Sequence, residues 1–252
     1  VICLLLVEVC FRVAVARPQQ AGWEDRPLFY YMPKSTQSLR GIHSDPEKSP
    51  GNFRVAVVGD SFSFAPYMQY DDAFPVRLER MLNLNGSEHK AEVINYSVPG
   101  YSTSHEVVEV DKAVNQEGAD LVILQITLND CERKPLQPTG IQVLKNPYAA
   151  LEITPETHPI LSKWKSMAYI VSRIHNKKME NVYRDYYLKL WEAKPGVDEF
   201  ENSLKKIAEI CAAKNIPLVA VTFPLFGYPL DKSYPFHHIH NYIHETLSKN
   251  GV

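Results

Sequence analysis

From residue 53 onward, short apolar runs rich in β-branched residues alternate with stretches of helical periodicity, the pattern of a parallel sheet wrapped by helices. Phe53 to Val58 is almost continuously apolar after Arg54, as a strand covered on both faces must be. Ala91 to Tyr96 predicts a second strand, Leu121 to Ile126 a third and central one, and Pro217 to Phe223 a fourth, closed by Pro224. Between them, Asp72 to Leu84 predicts a helix with Phe74, Leu78 and Met81/Leu82 on its inner face. Thr103-Ser104-His105-Glu106 has the form of a capping box, with Thr103 at the N-cap, opening a helix that turns Val107, Val110 and Val114 inward and ends at Gly118. Five prolines between 132 and 160 predict an irregular surface excursion there. Ile160 to Trp191 predicts one or two helices. Val197 to Lys214 predicts another, with Phe200, Leu204, Ile207 and Cys211 on one face, and Pro235 to Asn250 the last.

The two ends break this rhythm. Val1 to Val7 is apolar, Glu8 interrupts, and Val9 to Phe11 resumes before Arg12. So few residues cannot cross a bilayer, which takes about 20. One expectation is that residues 1–17 are the remnant of a membrane anchor or signal segment, followed by a polar lead-in at 18–52 containing Pro and Ser. The other is an amphipathic first helix of a soluble domain. The anchor expectation carries with it attachment to a membrane and a membrane-anchored or extracytoplasmic location. At the other end, Gly251-Val252 has the form of a helix stop and the first residue of a further strand, so the domain at 53–252 is expected to be incomplete at its C-terminus.

Composition narrows the function classes. At 252 residues and 45% hydrophobic content, intrinsic disorder is excluded as the main state. Lys+Arg 27 against Asp+Glu 29 gives a net charge of −2, so no nucleic-acid partner is indicated. The four cysteines at 3, 10, 131 and 211 have neither zinc spacing nor the look of a disulfide framework. His240 and His244 share a helix face at a spacing that suits a metal, but no third ligand is evident, and a solvated face accounts for them. No metal or cofactor is expected.

In open parallel sheets, ligands bind beyond the carboxyl ends of the strands. Three strands deliver polar groups there: Gly59-Asp60-Ser61-Phe62-Ser63 after the first, Ser97-Val98-Pro99-Gly100 after the second, and Thr127-Leu128-Asn129-Asp130 after the third. Each alone reads as a turn or a helix cap. Together they place a serine hydroxyl, a glycine that lets a ligand approach backbone, and an amide with two donors at the same ends of successive strands. A flavodoxin-like nucleotide binder is disfavoured, because no Gly-rich phosphate loop follows the first strand.

These segments resemble the blocks of the SGNH hydrolases, the GDSL-type esterases and lipases: Val57 to Ser63, Val93 to Thr103 and Leu124 to Asp130. The resemblance covers about residues 53–252. It implies a three-layer α/β/α fold with a five-stranded, flavodoxin-like parallel sheet and Ser61 as nucleophile. It also implies an oxyanion hole from the Ser61 and Gly100 N–H groups and the Asn129 side chain. Two departures stand out. Thr127 occupies a position that is usually glycine, adding bulk beside that hole. The family's last block, Asp-x-x-His, supplies the base and its orienting carboxylate, and no Asp here has a His three residues later; the expectation is that this block lies beyond Val252. His237, His238, His240 and His244 are not assigned as base, and Asp60 and Asp130 are expected to be hydrogen-bonding groups of the turns. The implied activity is hydrolysis of acyl esters, acetyl among them. The 11% aromatic content, with 14 Tyr, suits a small-molecule or polysaccharide ester of carbohydrate or cell-envelope material. An O-acyltransferase of the same fold and a non-catalytic binding relative remain the alternatives.

Overall fold

The computed structural model describes residues 2–14, 48, 50–65, 70–84, 86, 90–133, 153 and 157–252. The expected excursion at 132–160 and the lead-in at 18–52 lie mostly outside these residues. By compactness the chain divides into two units, residues 1–28 with 143–186, and residues 29–142 with 187–252.

The second unit is built on four parallel strands, β1 (Phe53–Val58), β2 (Ala91–Asn95), β3 (Leu121–Ile126) and β4 (Leu218–Thr222). Their order is β2-β1-β3-β4. Register runs Val55 against Val93 and Leu121, and Leu124 against Ala220. The strands fall where the apolar runs predict them, with β2 and β4 shorter by a residue or two. The described residues hold four strands where the resemblance implies five.

Three helices, α4 (Thr103–Asn115), α6 (Lys194–Ala213) and α7 (His237–Lys249), share one core with the face of the sheet that carries Ala56, Val58, Leu124 and Ile126. All four residues expected on the inner face of α6 are buried, Phe200, Leu204, Ile207 and Cys211. Pro195 stands in its first turn, where a missing N–H costs nothing. Trp191 closes this layer by donating its indole N–H to the Leu128 carbonyl at 2.8 Å. By strand alternation Val55 and Val57 point to the other face. On that side α3 (Phe74–Leu82) lies along β2, and the Glu79 carboxylate accepts from the Val93 N–H at 2.8 Å. Helices on both faces of a parallel sheet make a three-layer α/β/α architecture.

Two expectations are corrected here. Met81 and Leu82 are exposed, 66% and 46%, so the inner stripe of α3 stops short of them. The helix also begins later than expected, after a 3₁₀ turn at Tyr70–Asp72. The capping box does not form: the N-cap of α4 is Ser102, and Thr103 and Glu106 are both fully buried inside the helix. Thr103 is held inward by Asp130, 27 residues along the chain.

The first unit contains α1 (Ile2–Ala14) and the start of the 28-residue α5 (Lys165–Glu192). Glu8, which breaks the apolar run, is buried, and its carboxylate accepts from the Lys165 and Ser166 N–H groups at 2.9 and 2.8 Å. It thereby caps α5 from a separate helix. Arg12 bridges Glu8 at 2.7 Å and the Lys163 carbonyl at 2.8 Å. Leu5, Leu6, Val7, Val9 and Val13 are exposed. Among the described residues no helix is long and apolar enough to cross a membrane.

Candidate active site

Because all four strands are parallel, the segments following β1, β2 and β3 emerge at one edge of the sheet. Gly59 leaves β1 against the side chain of Gln125 on β3. The Gln125 Oε1 atom accepts three hydrogen bonds from the first segment, from Asp60 N at 3.1 Å, Ser63 N at 3.2 Å and Ser63 Oγ at 2.8 Å. Asp60 then caps the short helix α2 (Ser61–Phe64) by accepting from Phe62 N at 2.9 Å. This sets Ser61 as the first helical residue, half-buried, and among the described residues its hydroxyl has no hydrogen-bond partner.

Three links tie the segments together. Val98 N donates to Gly59 O at 3.0 Å, joining the second segment to the first. The Asn129 amide donates to Tyr101 O at 3.1 Å, joining the third to the second. The Thr127 hydroxyl lies 2.9 Å from Asp60 Oδ2, joining the third to the first. Gly100, at φ +80°, makes the turn before Tyr101 in a conformation that other residues seldom adopt. Ser61, Gly100 and Asn129 therefore stand on three mutually bonded segments, and Thr127, which the sequence shows only as bulk, is one of the links.

Below these segments lies a group of buried carboxyls: Asp60, Glu106 and Asp130. Asp130 accepts from Thr103 Oγ1 at 2.7 Å and from Thr127 N at 2.5 Å, which explains why Thr103 faces inward rather than capping α4. Burial raises Asp60, and the hydrogen bond from the Phe62 N–H offsets part of the rise. Burial and the neighbouring charge of Asp60 push Asp130 up to about 7. Glu106 has no partner for either carboxyl oxygen, and burial, with the charges of Asp130 and Asp60, holds it well above the usual carboxylate range.

Nothing local in the sequence marks His105, because its place in Thr103-Ser104-His105-Glu106 is that of the interior of a cap. It stacks on Tyr101, with ring centroids 5.2 Å apart, and its Nδ1 lies 3.0 Å from Ser102 Oγ. Burial lowers its pKa. On the side of Phe62, half-buried rings gather: Phe62 and Phe74 each lie within 6 Å of Phe223, at 5.9 and 5.8 Å between centroids.

The histidines of α7 do other things. His237 pairs with the Asp231 carbonyl at 2.7 Å, His240 with the Tyr234 hydroxyl at 3.3 Å and His244 with Ser248 at 3.3 Å, while His238 is exposed. Among the described residues no imidazole is hydrogen-bonded to Ser61 Oγ, and no three His, Cys, Asp or Glu side chains are grouped as metal ligands.

No family model matches the chain, and no curated protein matches it. Among solved structures, it is similar to TesA at 12% identity and a TM-score of 0.45, over 79% of this chain and 75% of that one. It is also similar to AlinE4, described as an SGNH-hydrolase family esterase, at 15% identity and a TM-score of 0.41, over 80% of this chain and 75% of that one.

Proposed function

We propose that this chain is a serine-dependent ester hydrolase of the SGNH type, with Ser61 as nucleophile and the Ser61 N–H, Gly100 N–H and Asn129 amide as oxyanion donors. The supporting observation is the joining of their three segments by direct hydrogen bonds at one edge of the sheet. Attack of Ser61 Oγ on an ester carbonyl drives an electron pair onto the carbonyl oxygen. Fixed N–H donors aimed at that oxygen stabilise it more than water does, because they need no reorganisation. Asn129 gives one N–H to Tyr101 O and keeps a second for the oxyanion. Collapse of the intermediate breaks the ester C–O bond and expels the alcohol with the proton lost by Ser61 Oγ, leaving an acyl-Ser61. Water then adds to that acyl group, releasing the acid and returning a proton to Ser61 Oγ. No base for Ser61 is proposed among the described residues. The proposed substrates are acyl esters of small acids such as acetate, on carbohydrate or cell-envelope material. Attachment to a lipid surface through the exposed apolar residues of α1 is part of the same proposal.

The test is hydrolysis of an aryl acetate by this chain with and without added imidazole, which can serve as a general base. Activity should rise with imidazole beyond the solution rate and vanish in Ser61→Ala. Asn129→Ala should lower turnover by about 10²–10³, the usual loss of one oxyanion donor. A rate indifferent to Ser61→Ala would refute the hydrolase and favour a binding relative.

A further inference from the structure

The Thr127 hydroxyl has one proton to give and three acceptor oxygens around it. It lies 2.9 Å from Asp60 Oδ2 and 3.4 Å from Asp130 Oδ2, and it is hydrogen-bonded to Asn129 Oδ1. An amide oxygen cannot donate, nor can an ionised carboxylate. Both near contacts, to Asp60 and to Asn129, therefore cannot be hydrogen bonds unless an oxygen of the group carries an additional proton. Turning the Asn129 amide over does not help, since its oxygen would then face the Tyr101 carbonyl, to which Nδ2 now donates at 3.1 Å. Nor is Asp130 the natural holder of that proton. Its two oxygens already accept from Thr103 Oγ1 and Thr127 N, which suits an anion.

We propose that a proton held by the Asp60–Asp130 pair sits on Asp60 Oδ2 and directs a chain of hydrogen bonds through Thr127 to Asn129, making Thr127 and Asp60 the positioning residues of the Asn129 amide. In this chain the Asp60 hydroxyl donates to Thr127 Oγ1, Thr127 donates to Asn129 Oδ1, and Asn129 Nδ2 donates to Tyr101 O. A glycine at 127, the residue that the resemblance puts there, has no hydroxyl to relay anything. The catalytic meaning of the chain rests on the hydrolase proposed above; its existence does not.

The surroundings favour the proton. Glu106 approaches from α4 with both oxygens unpartnered, Cys131 follows Asp130 as a buried thiol, and Tyr101 and the stacked His105 are the other titratable groups on the adjoining segments. Among the described residues no Lys or Arg forms an ion pair with Asp60, Glu106 or Asp130. Two buried carboxylates held this close disfavour double ionisation. As pH rises and the pair loses its proton, the Thr127 hydroxyl turns to the Asp60 carboxylate. Asn129 Oδ1 then loses its donor, and the amide turns its N–H groups toward the anion.

The experiment is NMR of the 252-residue chain carrying ¹³C-labelled aspartate and ¹⁵N-labelled asparagine, from pH 5 to pH 9. The Asn129 side-chain NH₂ resonance should titrate with the same midpoint as the Asp60 or Asp130 carboxyl. The movement should persist in Thr127→Ser and disappear in Thr127→Val. Should Thr127→Val fail to fold, Asp60→Asn serves instead: its amide is a permanent donor to Thr127, so the Asn129 resonance should stay at its low-pH position throughout. An Asn129 resonance that does not move with pH in the parent, or one that still titrates in Thr127→Val or Asp60→Asn, overturns the proposal. None of these signals depends on turnover, so they stand apart from the Ser61→Ala hydrolysis test.

Discussion

A Cβ built on Gly59 would stand 2.5 Å from Gln125 Oε1 and 2.9 Å from Gln125 Cβ, so the first segment and the central strand touch as closely as a glycine allows. The contact explains why Gln125 can accept three hydrogen bonds from the Ser61 segment. It also shows why the residue before Asp60 and Ser61 has no side chain.

Gly59→Ala should therefore push Gln125 away from Asp60 N, Ser63 N and Ser63 Oγ. The expected cost is about 1–3 kcal/mol, the range for forcing additional volume into a packed interior. Thermal or denaturant unfolding measures it. A stability equal to the parent would mean that Gln125 has room to move.

Arg54, Glu106 and Gln125 belong to a core that the sequence shows only in outline. Strands were legible because β1 and β3, covered on both faces, are apolar except at Arg54 and Gln125, and α6 because its inner stripe keeps a strict helical spacing. The helix at Thr103 was misread for a physical reason. Thr-x-x-Glu is a local signal, but here Thr103 answers to Asp130, 27 residues on, and Glu106 enters the same buried group. Thr127 is similar: its chief partner, Asp60, is 67 residues away. No local pattern announces a hub made by three loops. His105 lay hidden because its stacking on Tyr101 depends on the turn at Gly100.

The buried carboxyls should make stability fall as pH rises. The Asp60–Asp130 pair, with Asp130 taken up from 3.8 to about 7 and Asp60 raised as well, holds one proton more tightly when folded than when unfolded in that window. The associated stability is present below pH 3.8 and is lost between there and about 7. Glu106 acts with the same sign from 4.5 upward. Each such group contributes a slope of about 1.4 kcal/mol per pH unit while it is differentially protonated. Glu106→Leu should flatten the decline and stabilise the chain near neutral pH, measured by denaturant titrations from pH 4 to 8. A steeper decline, or none in the parent, would contradict this assignment of protons.

Glu8 has the opposite sign. Burial alone would raise it, but bonds from the Ser166 hydroxyl and N–H, from Arg12 and from the Lys165 N–H take it down to about 2. Its capping of α5 is therefore present above pH 4.5 and lost as pH falls toward 2. Protection of the Lys165 and Ser166 amides, measured as exchange relative to the intrinsic rate at each pH, should fall over that window, and Glu8→Gln should leave these amides unprotected at every pH. Exchange at these amides that is insensitive to both would place the cap elsewhere.

The claim that Ser61 is the nucleophile is tested most directly by covalent capture. The chain is incubated with an aryl fluorophosphonate in the presence of imidazole, and the adduct is located by peptide mass mapping. A single phosphonyl group on the peptide containing Ser61, absent from Ser61→Ala, is the predicted result. No adduct, or labelling that persists unchanged in Ser61→Ala, would contradict the account.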